Sequence, residues 1–341
     1  MRARALVVPR SRGEEVRRAL REAGLLRTDL EIVRSESDLV FPLLDTGEVP
    51  SGFGTESERD FAPLEGPGPA DYRELVRLPS EERARLPRSF DVVGDIVVIR
   101  IPDEMEGRAD QIGEALLSFV PGARLVGADR GVRGPERARS LHRIAGSGPW
   151  TTRHRENGIE LDVDLARAYF SPRLAREHAR VAEEVRAGDR VYDLCCGVGP
   201  FSLTIARDGR ARGVVAVDAN PVAIALLRSA YARQGFSTPV HAQEGRVEEF
   251  APSAAPADRI ILNLPHQGIK YLPSVARALA PRGRLYYYEV TSRAEWEERG
   301  TSVTRILDAP TDWTVVDQHV VHPYSPTSDL AAFVLERRGG A

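Results

Sequence analysis

Near the N-terminus apolar residues first form a block, Ala5 to Val8, and then fall at Val16, Ala19, Leu20 and Ala23. The block suits a strand, and the later spacing buries one face of a helix over Glu14 to Ala23. Two more short apolar stretches, LEIV (30–33) and LVFPLL (39–44), can each form a strand, so the first 44 residues read as a small α/β module. From Asp45 to Pro79 the pattern gives way to Gly, Pro, Ser and acidic residues. Such a composition cannot bury a core and reads as a linker or mobile loop.

Periodicity returns in the β-branched run Phe90 to Pro102 and in a helical pattern, GRADQIGEALLSFVPG, that stops at Pro-Gly. Strand-like TTRHRENGIELDVDL follows, then the helix RLAREHARVAEEV. From VYDLCCGVGPF onward, apolar strands and amphipathic helices alternate to the C-terminus, the pattern of a doubly wound, mostly parallel sheet. The expected fold class is α/β. A Rossmann-like domain over residues 167–341 follows two smaller α+β domains, 1–62 and 63–166.

Composition narrows the function classes. The chain has 341 residues, 42% hydrophobic and 28% charged, and no apolar run approaches the roughly 20 residues of a membrane span. The N-terminus lacks a signal peptide's apolar core and cleavage site, which leads to the expectation of a cytoplasmic enzyme. Cys195 and Cys196 are adjacent, a spacing that suits neither a disulfide nor a zinc site. With 47 basic against 50 acidic residues, overall charge does not announce a nucleic-acid partner, so any RNA contact must come from local clusters. The basic residues are arginines apart from Lys270.

Chemistry concentrates in the C-terminal third. In VYDLCCGVGPFSLTIA a buried strand ends at Asp193, Gly197 and Gly199 make a turn, and a helix begins after Pro200. Glycines let backbone approach a ligand, and a helix N-terminus favours negative charge. A second strand, GVVAVDANP, ends in Asp218, placed to accept hydrogen bonds from both hydroxyls of a ribose. Ser202 stands where a dinucleotide fingerprint expects a third small residue, which favours S-adenosylmethionine over NAD. A later strand, RIILNLP, ends in Asn263-Leu264-Pro265; in N-methylating enzymes such a motif orients the attacked nitrogen while proline fixes the turn.

These blocks resemble the archaeal and eukaryotic tRNA (guanine(37)-N1)-methyltransferase family, which includes related wybutosine-pathway enzymes. The resemblance is carried by SFDVVGDIVVIRIPDE, HRENGIELDVDLARAYFSPRLAREHARV, DLCCGVGPF, VDANP, LNLP and HPYSP. It implies a class I methyltransferase whose N-terminal domain recognises the outer corner of tRNA and whose catalytic domain reaches the anticodon stem-loop, and the chain is expected to be a monomer. It also implies cofactor roles for Tyr169, Phe201, Asp218 and Asn220, target-base roles for Asn263 and Pro265, Glu177 as general base, and Arg137 on the guanine O6. There are departures. Arg246 stands where many relatives carry an acid that contacts the adenine amine, His178 stands where arginine is common, and the two cysteines before Gly197 are unusual.

By spacing alone, Glu177 among Arg173, Arg176 and Arg180 suits a surface ion pair, Arg137 an exposed charge run, and Tyr169 and Phe170 a core. Three other readings stay open. They are aminocarboxypropyl transfer to a wybutosine precursor, an added C7 methylation of that precursor, and a non-catalytic RNA-binding protein on the same fold.

Overall fold

Burial along the first strand, β1 (Arg2–Pro9), puts Ala3, Ala5, Leu6 and Val8 inside; the helix α1 (Gly13–Glu22) covers Leu6 and Val8 with Val16 and Leu20, while Ala3 and Ala5 pack with Leu30 and Phe61. The strands β2 (Val33–Arg34), β3 (Asp38–Pro42) and β4 (Thr55–Asp60) complete a sheet of order β2-β3-β1-β4 in which every pair is antiparallel. The computed structural model describes residues 1–338 other than 36, 48, 50, 51, 64–69, 134–137 and 308–311. It divides into two compact units, Met1–Glu74 and Leu75–Ala341.

Two expectations for the first unit need correction. Only Val33 of LEIV lies in a strand, and the stretch 45–79 is not uniformly a linker, since β4 pairs with β1 over six residues. Its sequence, TESERD, is polar on both faces, so β4 is held by backbone hydrogen bonds and has no apolar period to betray it.

The second unit opens with a short helix, α2 (Ser80–Ala84), and a four-stranded sheet: β5 (Phe90–Val93), β6 (Ile96–Ile99), β7 (Leu125–Arg133) and β8 (Ala138–Gly146). The helix α3 (Ala109–Phe119) makes the crossover between the parallel pair β6 and β7. A hairpin follows, β9 (Thr151–Glu156) and β10 (Ile159–Asp164). Its Asn157-Gly158 turn has positive φ at both residues, as a two-residue hairpin loop requires.

The remaining elements are α4 (Ala175–Glu184), β11 (Arg190–Leu194), α5 (Pro200–Asp208), β12 (Gly213–Asp218), α6 (Pro221–Gln234), β13 (Val240–Glu244), α7 (Val247–Phe250), β14 (Ala257–Leu262), α8 (Leu272–Arg277), β15 (Leu279–Ser292), α9 (Trp296–Arg305), β16 (Trp313–Pro323) and β17 (Ser328–Arg337). Their sheet has the order β13-β12-β11-β14-β15-β17-β16, parallel as far as β15 and antiparallel beyond. This is the expected doubly wound, mostly parallel sheet. Strand order reverses at β11, between β12 and β14, and in such sheets ligands bind at the carboxyl ends of the strands flanking the reversal.

Hairpin residues Ile159, Leu161 and Val163 share one core with Val93 and Ile96 of the four-stranded sheet and with Leu203, Ile224 and Leu227 of α5 and α6. That shared core joins the four-stranded sheet and the hairpin to the large sheet within the unit Leu75–Ala341. Arg139 on β8 ties the same parts by polar contacts. Only 7% of its side chain is exposed, and it bonds Asp129, Asp91 and the Phe170 carbonyl, the last at 2.9 Å.

A buried carboxylate makes a second tie. Glu156 on β9 accepts from His178 Nδ1 on α4 at 2.6 Å, and His154 Nε2 stands 3.7 Å from its other oxygen. Burial pushes the Glu156 carboxyl up, but the two imidazoles outweigh it and hold it at about 2. A carboxyl depressed below its ordinary 4.5 contributes stability above that pH and loses it as pH falls toward 2. Glu156→Gln should therefore be less stable than wild type by about 3 kcal/mol at neutral pH. The gap should close between pH 4.5 and 2 in denaturant titrations, and a gap independent of pH would contradict the assignment.

Candidate active site

The turn after β11 is built from residues in left-handed backbone conformations: Cys195 (φ 64°), Gly197 (φ 55°) and Gly199 (φ 82°). At Gly199 a Cβ would also stand 2.3 Å from Leu227, so both conformation and space require glycine. Cys195 has no such freedom, and a non-glycine residue held there costs about 1–3 kcal/mol, a strain that in general collects at functional sites.

Two carboxylates hold this turn. Asp193, fully buried, accepts from the Ser202 hydroxyl at 2.6 Å and its backbone N–H at 3.2 Å, fixing the first turn of α5 to β11. Burial pushes its carboxyl up to about 7. Asp218, at the end of β12, accepts from Gly197 N–H through one oxygen and from Asn220 N–H through the other, both at 2.8 Å. Asn220 caps α6 by accepting from Val222 N–H at 2.9 Å, and its amide donates to the Arg167 carbonyl at 2.7 Å. The segment leading to Tyr169 is thereby fastened to the same corner.

Above this corner lies a cavity of about 310 Å³. Tyr169, Gly197, Asp218, Asn220, Arg246, Asn263 and Pro265, seven of the residues singled out from the sequence, line it together. Asp193, Gly199 and Phe201 do not. They stand behind the wall, Phe201 packed on His178 with ring centroids 4.5 Å apart, and they shape the site rather than face it. Arg137 lies outside the described residues.

Glu177 also stands off the cavity lining, and it is no surface charge. It is 5% exposed and accepts from Arg180 Nη2 and the Tyr288 hydroxyl, each at 2.7 Å, with His319 Nε2 at 3.1 Å. Burial pushes the carboxyl up, yet His319 and Arg180, with Tyr288, overcome that and hold it at about 2. His319 in turn meets Asp317 through Nδ1 at 2.8 Å, and its bond to Glu177 raises its pKa.

The lining includes residues that sequence reasoning passed over, among them Glu248, His266, Tyr271, His322 and Tyr324. Glu248 sits two residues from Arg246, so an acid does reach the wall although the expected position carries a guanidinium. His322 and Tyr324 belong to HPYSP, quoted for its resemblance without a role. Asn263-Leu264-Pro265 is pinned from both sides: the Leu264 carbonyl accepts from Gly268 N–H at 2.7 Å, and the Pro265 carbonyl accepts from Val290 N–H at 3.1 Å. Nearby, Lys270 lays its ammonium 4.6 Å from the centroid of the Tyr271 ring. Burial pushes both cysteine thiols up, away from the thiolate a nucleophile needs.

Comparison with known proteins follows the same lines. Residues 152–312 match the TRM5/TYW2 methyltransferase domain, residues 72–149 the TYW2 N-terminal domain, and residues 5–49 the tRNA methyltransferase 5 N-terminal domain. The chain is 34% identical over 331 residues to the tRNA (guanine(37)-N(1))-methyltransferase Trm5b of Pyrococcus abyssi, covering 94% of this chain and 95% of that one. The crystal structure of that protein aligns with a TM-score of 0.72, over 98% of this chain and 99% of that one. Methanocaldococcus jannaschii Trm5 in complex with adenosine aligns at 26% identity and a TM-score of 0.67, over 99% and 100% of the two chains. A complex of aTrm5 with tRNALeu aligns at 27% identity and 0.69, over 98% and 99%.

Because Asp218 stands at the cavity wall with its oxygens oriented by the turn, Asp218→Ala should weaken S-adenosylmethionine binding by about 1.5–3 kcal/mol, the worth of hydrogen bonds to a charged group. Calorimetry checks this, and unchanged affinity would remove Asp218 from the ribose contact.

Proposed function

The chain belongs to the family of tRNA (guanine(37)-N(1))-methyltransferases, and from that premise we propose how its cavity carries out methyl transfer to N1 of guanosine 37, beside the anticodon of tRNA. One observation carries the reading. A glycine turn braced by Asp218 and a pinned Asn263-Leu264-Pro265 segment line the same cavity at the sheet's reversal point. The donor set suits the cofactor: Asp218 for the ribose hydroxyls, Gly197 for close backbone approach, and Tyr169 and Asn220 beside them. A carboxylate oxygen can accept more than one hydrogen bond, so bracing the turn is compatible with binding ribose. We assign the adenine amine to Glu248, in place of the acid that relatives carry at the position of Arg246.

S-adenosylmethionine, when bound, supplies a methyl group already activated on a sulfonium. The chain's own residues have the target base to manage. Guanine N1 carries a proton and is a poor nucleophile until that proton leaves, while charge builds on O6 as it goes. Asn263 orients the base, Pro265 fixes the turn that holds Asn263, and Arg137 meets O6 and stabilises the developing charge. Glu177 takes the N1 proton. A carboxylate held at about 2 keeps a proton only in passing, and His319 at 3.1 Å, half-buried and bonded to Asp317, is placed to receive it and release it to solvent.

A second reading of Glu177 has an observation in its favour. Its oxygens are engaged by Arg180, Tyr288 and His319, which join α4, β15 and β16, so it can serve as an anchor between these elements. The two readings differ in what an isosteric amide does. Under the first, Glu177→Gln retains cofactor and tRNA affinity and slows single-turnover methylation by about 10²- to 10⁴-fold. Under the second, it lowers the melting temperature and leaves the rate within about threefold of wild type.

For recognition, we propose that Met1–Glu74 binds the outer corner of the tRNA, and that the chain acts as a monomer. Incubation with labelled cofactor and unmodified tRNA, followed by digestion to nucleosides, should yield N1-methylguanosine. With tRNA that already carries the tricyclic wybutosine precursor as a parallel substrate, transfer confined to that tRNA, giving a C7-methylated or aminocarboxypropyl base, would overturn the assignment, and absence of transfer to either tRNA would favour a purely RNA-binding role.

A further inference from the structure

The same cavity holds an aromatic pair with no part in the chemistry above. His266 directly follows Pro265, Tyr324 comes from the loop between β16 and β17, and both line the cavity. Their rings meet edge to face at 5.5 Å, with the Tyr324 hydroxyl 3.2 Å from His266 Nε2. Tyr324 is 51% exposed, yet its backbone is fixed. Its N–H and that of Ser325 both donate to the Ser328 carbonyl, the Ser325 and Ser328 hydroxyls bond at 2.6 Å, and Arg293 holds both the Pro326 carbonyl and Asp329. A large ring left half in water on a backbone this constrained is preorganised for something that comes to it.

The other two tyrosines of the lining carry cations over their rings: Arg139 stands 5.7 Å from the centroid of Tyr169, and Lys270 packs on Tyr271. Tyr324 is held at its hydroxyl end, which sets the orientation of the ring, and among the described residues no cation is seen across it. A guanine that enters beside Asn263 presents polar edges and two flat π-faces, and a face taken out of the RNA stack needs a replacement surface. We propose that Tyr324, oriented by His266, is the platform on which the extracted guanine stacks while Asn263 and Pro265 meet its edge. The inference rests on the reading of a tRNA guanine as substrate.

The test is a side-chain series at Tyr324 in the full-length enzyme: Phe, Trp, Leu and Ala, each assayed by single-turnover methylation of unmodified tRNA over a range of enzyme concentrations, with cofactor affinity by calorimetry and melting temperature alongside. Phe and Trp should stay within about threefold of wild type in methylation efficiency. Leu and Ala should lose about 5- to 150-fold, the range for removing one base–aromatic stack. Cofactor affinity and melting temperature should not change across the series. Three results would overturn the platform: Leu within threefold of wild type, Phe and Trp as impaired as Ala, or losses that track cofactor affinity or melting temperature. The wild-type product nucleoside, identified separately, tells failure of this inference from failure of the substrate assignment.

Discussion

Two backbone N–H groups that a helix and a tight turn would otherwise leave without partners, those of Gly197 and Asn220, end on the single carboxylate of Asp218. Strand β12 sets where that carboxylate stands, and from it the glycine turn takes its path and α6 its start. Through the Asn220 amide and the Arg167 carbonyl, even the segment that carries Tyr169 is positioned from this point. The cavity floor thus descends from one residue at the sheet's reversal, and the strained backbone at Cys195 persists because its surroundings over-determine it.

Buried charge organises the wall behind that floor. Glu156 with His178, and Glu177 with Arg180, Tyr288 and His319, tie α4 to the hairpin on one side and to the edge of the large sheet on the other. Three consecutive tyrosines show how β15 serves both faces of the sheet. Tyr286 and Tyr288 send their hydroxyls to Glu184 and Glu177, while Tyr287 points the other way to Glu289. Ion pairs this deeply buried rarely add much net stability, but removing one partner strands the other as an uncompensated buried charge.

The sequence made the large sheet legible because buried parallel strands are short apolar runs and each helix between them has its own period. Asp218, Asn263 and the glycines were readable for a related reason: they sit at strand ends, where chain order alone implies proximity. What stayed hidden depends on contacts distant in sequence. Strand β4 has no apolar face to announce it. Glu177 looks like one more surface charge among arginines until β15 and β16, more than a hundred residues later, close over it. Phe201 and Asp193 carry the expected motif and yet point into the core, since a motif fixes the backbone path and leaves the direction of each side chain to packing. Tyr324 reaches the cavity only through a turn between antiparallel strands that no local pattern joins to Asn263.

The near-exclusive use of arginine has a practical side. Apart from the terminal amine, which bonds the Phe61 carbonyl, the chain offers one primary amine, and it lies on the ring of Tyr271 at the cavity lining. Acylating reagents that would decorate an ordinary protein at dozens of places thus have a single side-chain target here, beside the site. A fluorophore attached at Lys270 would sit next to Tyr271 of the cavity lining, giving the native chain a built-in reporter position.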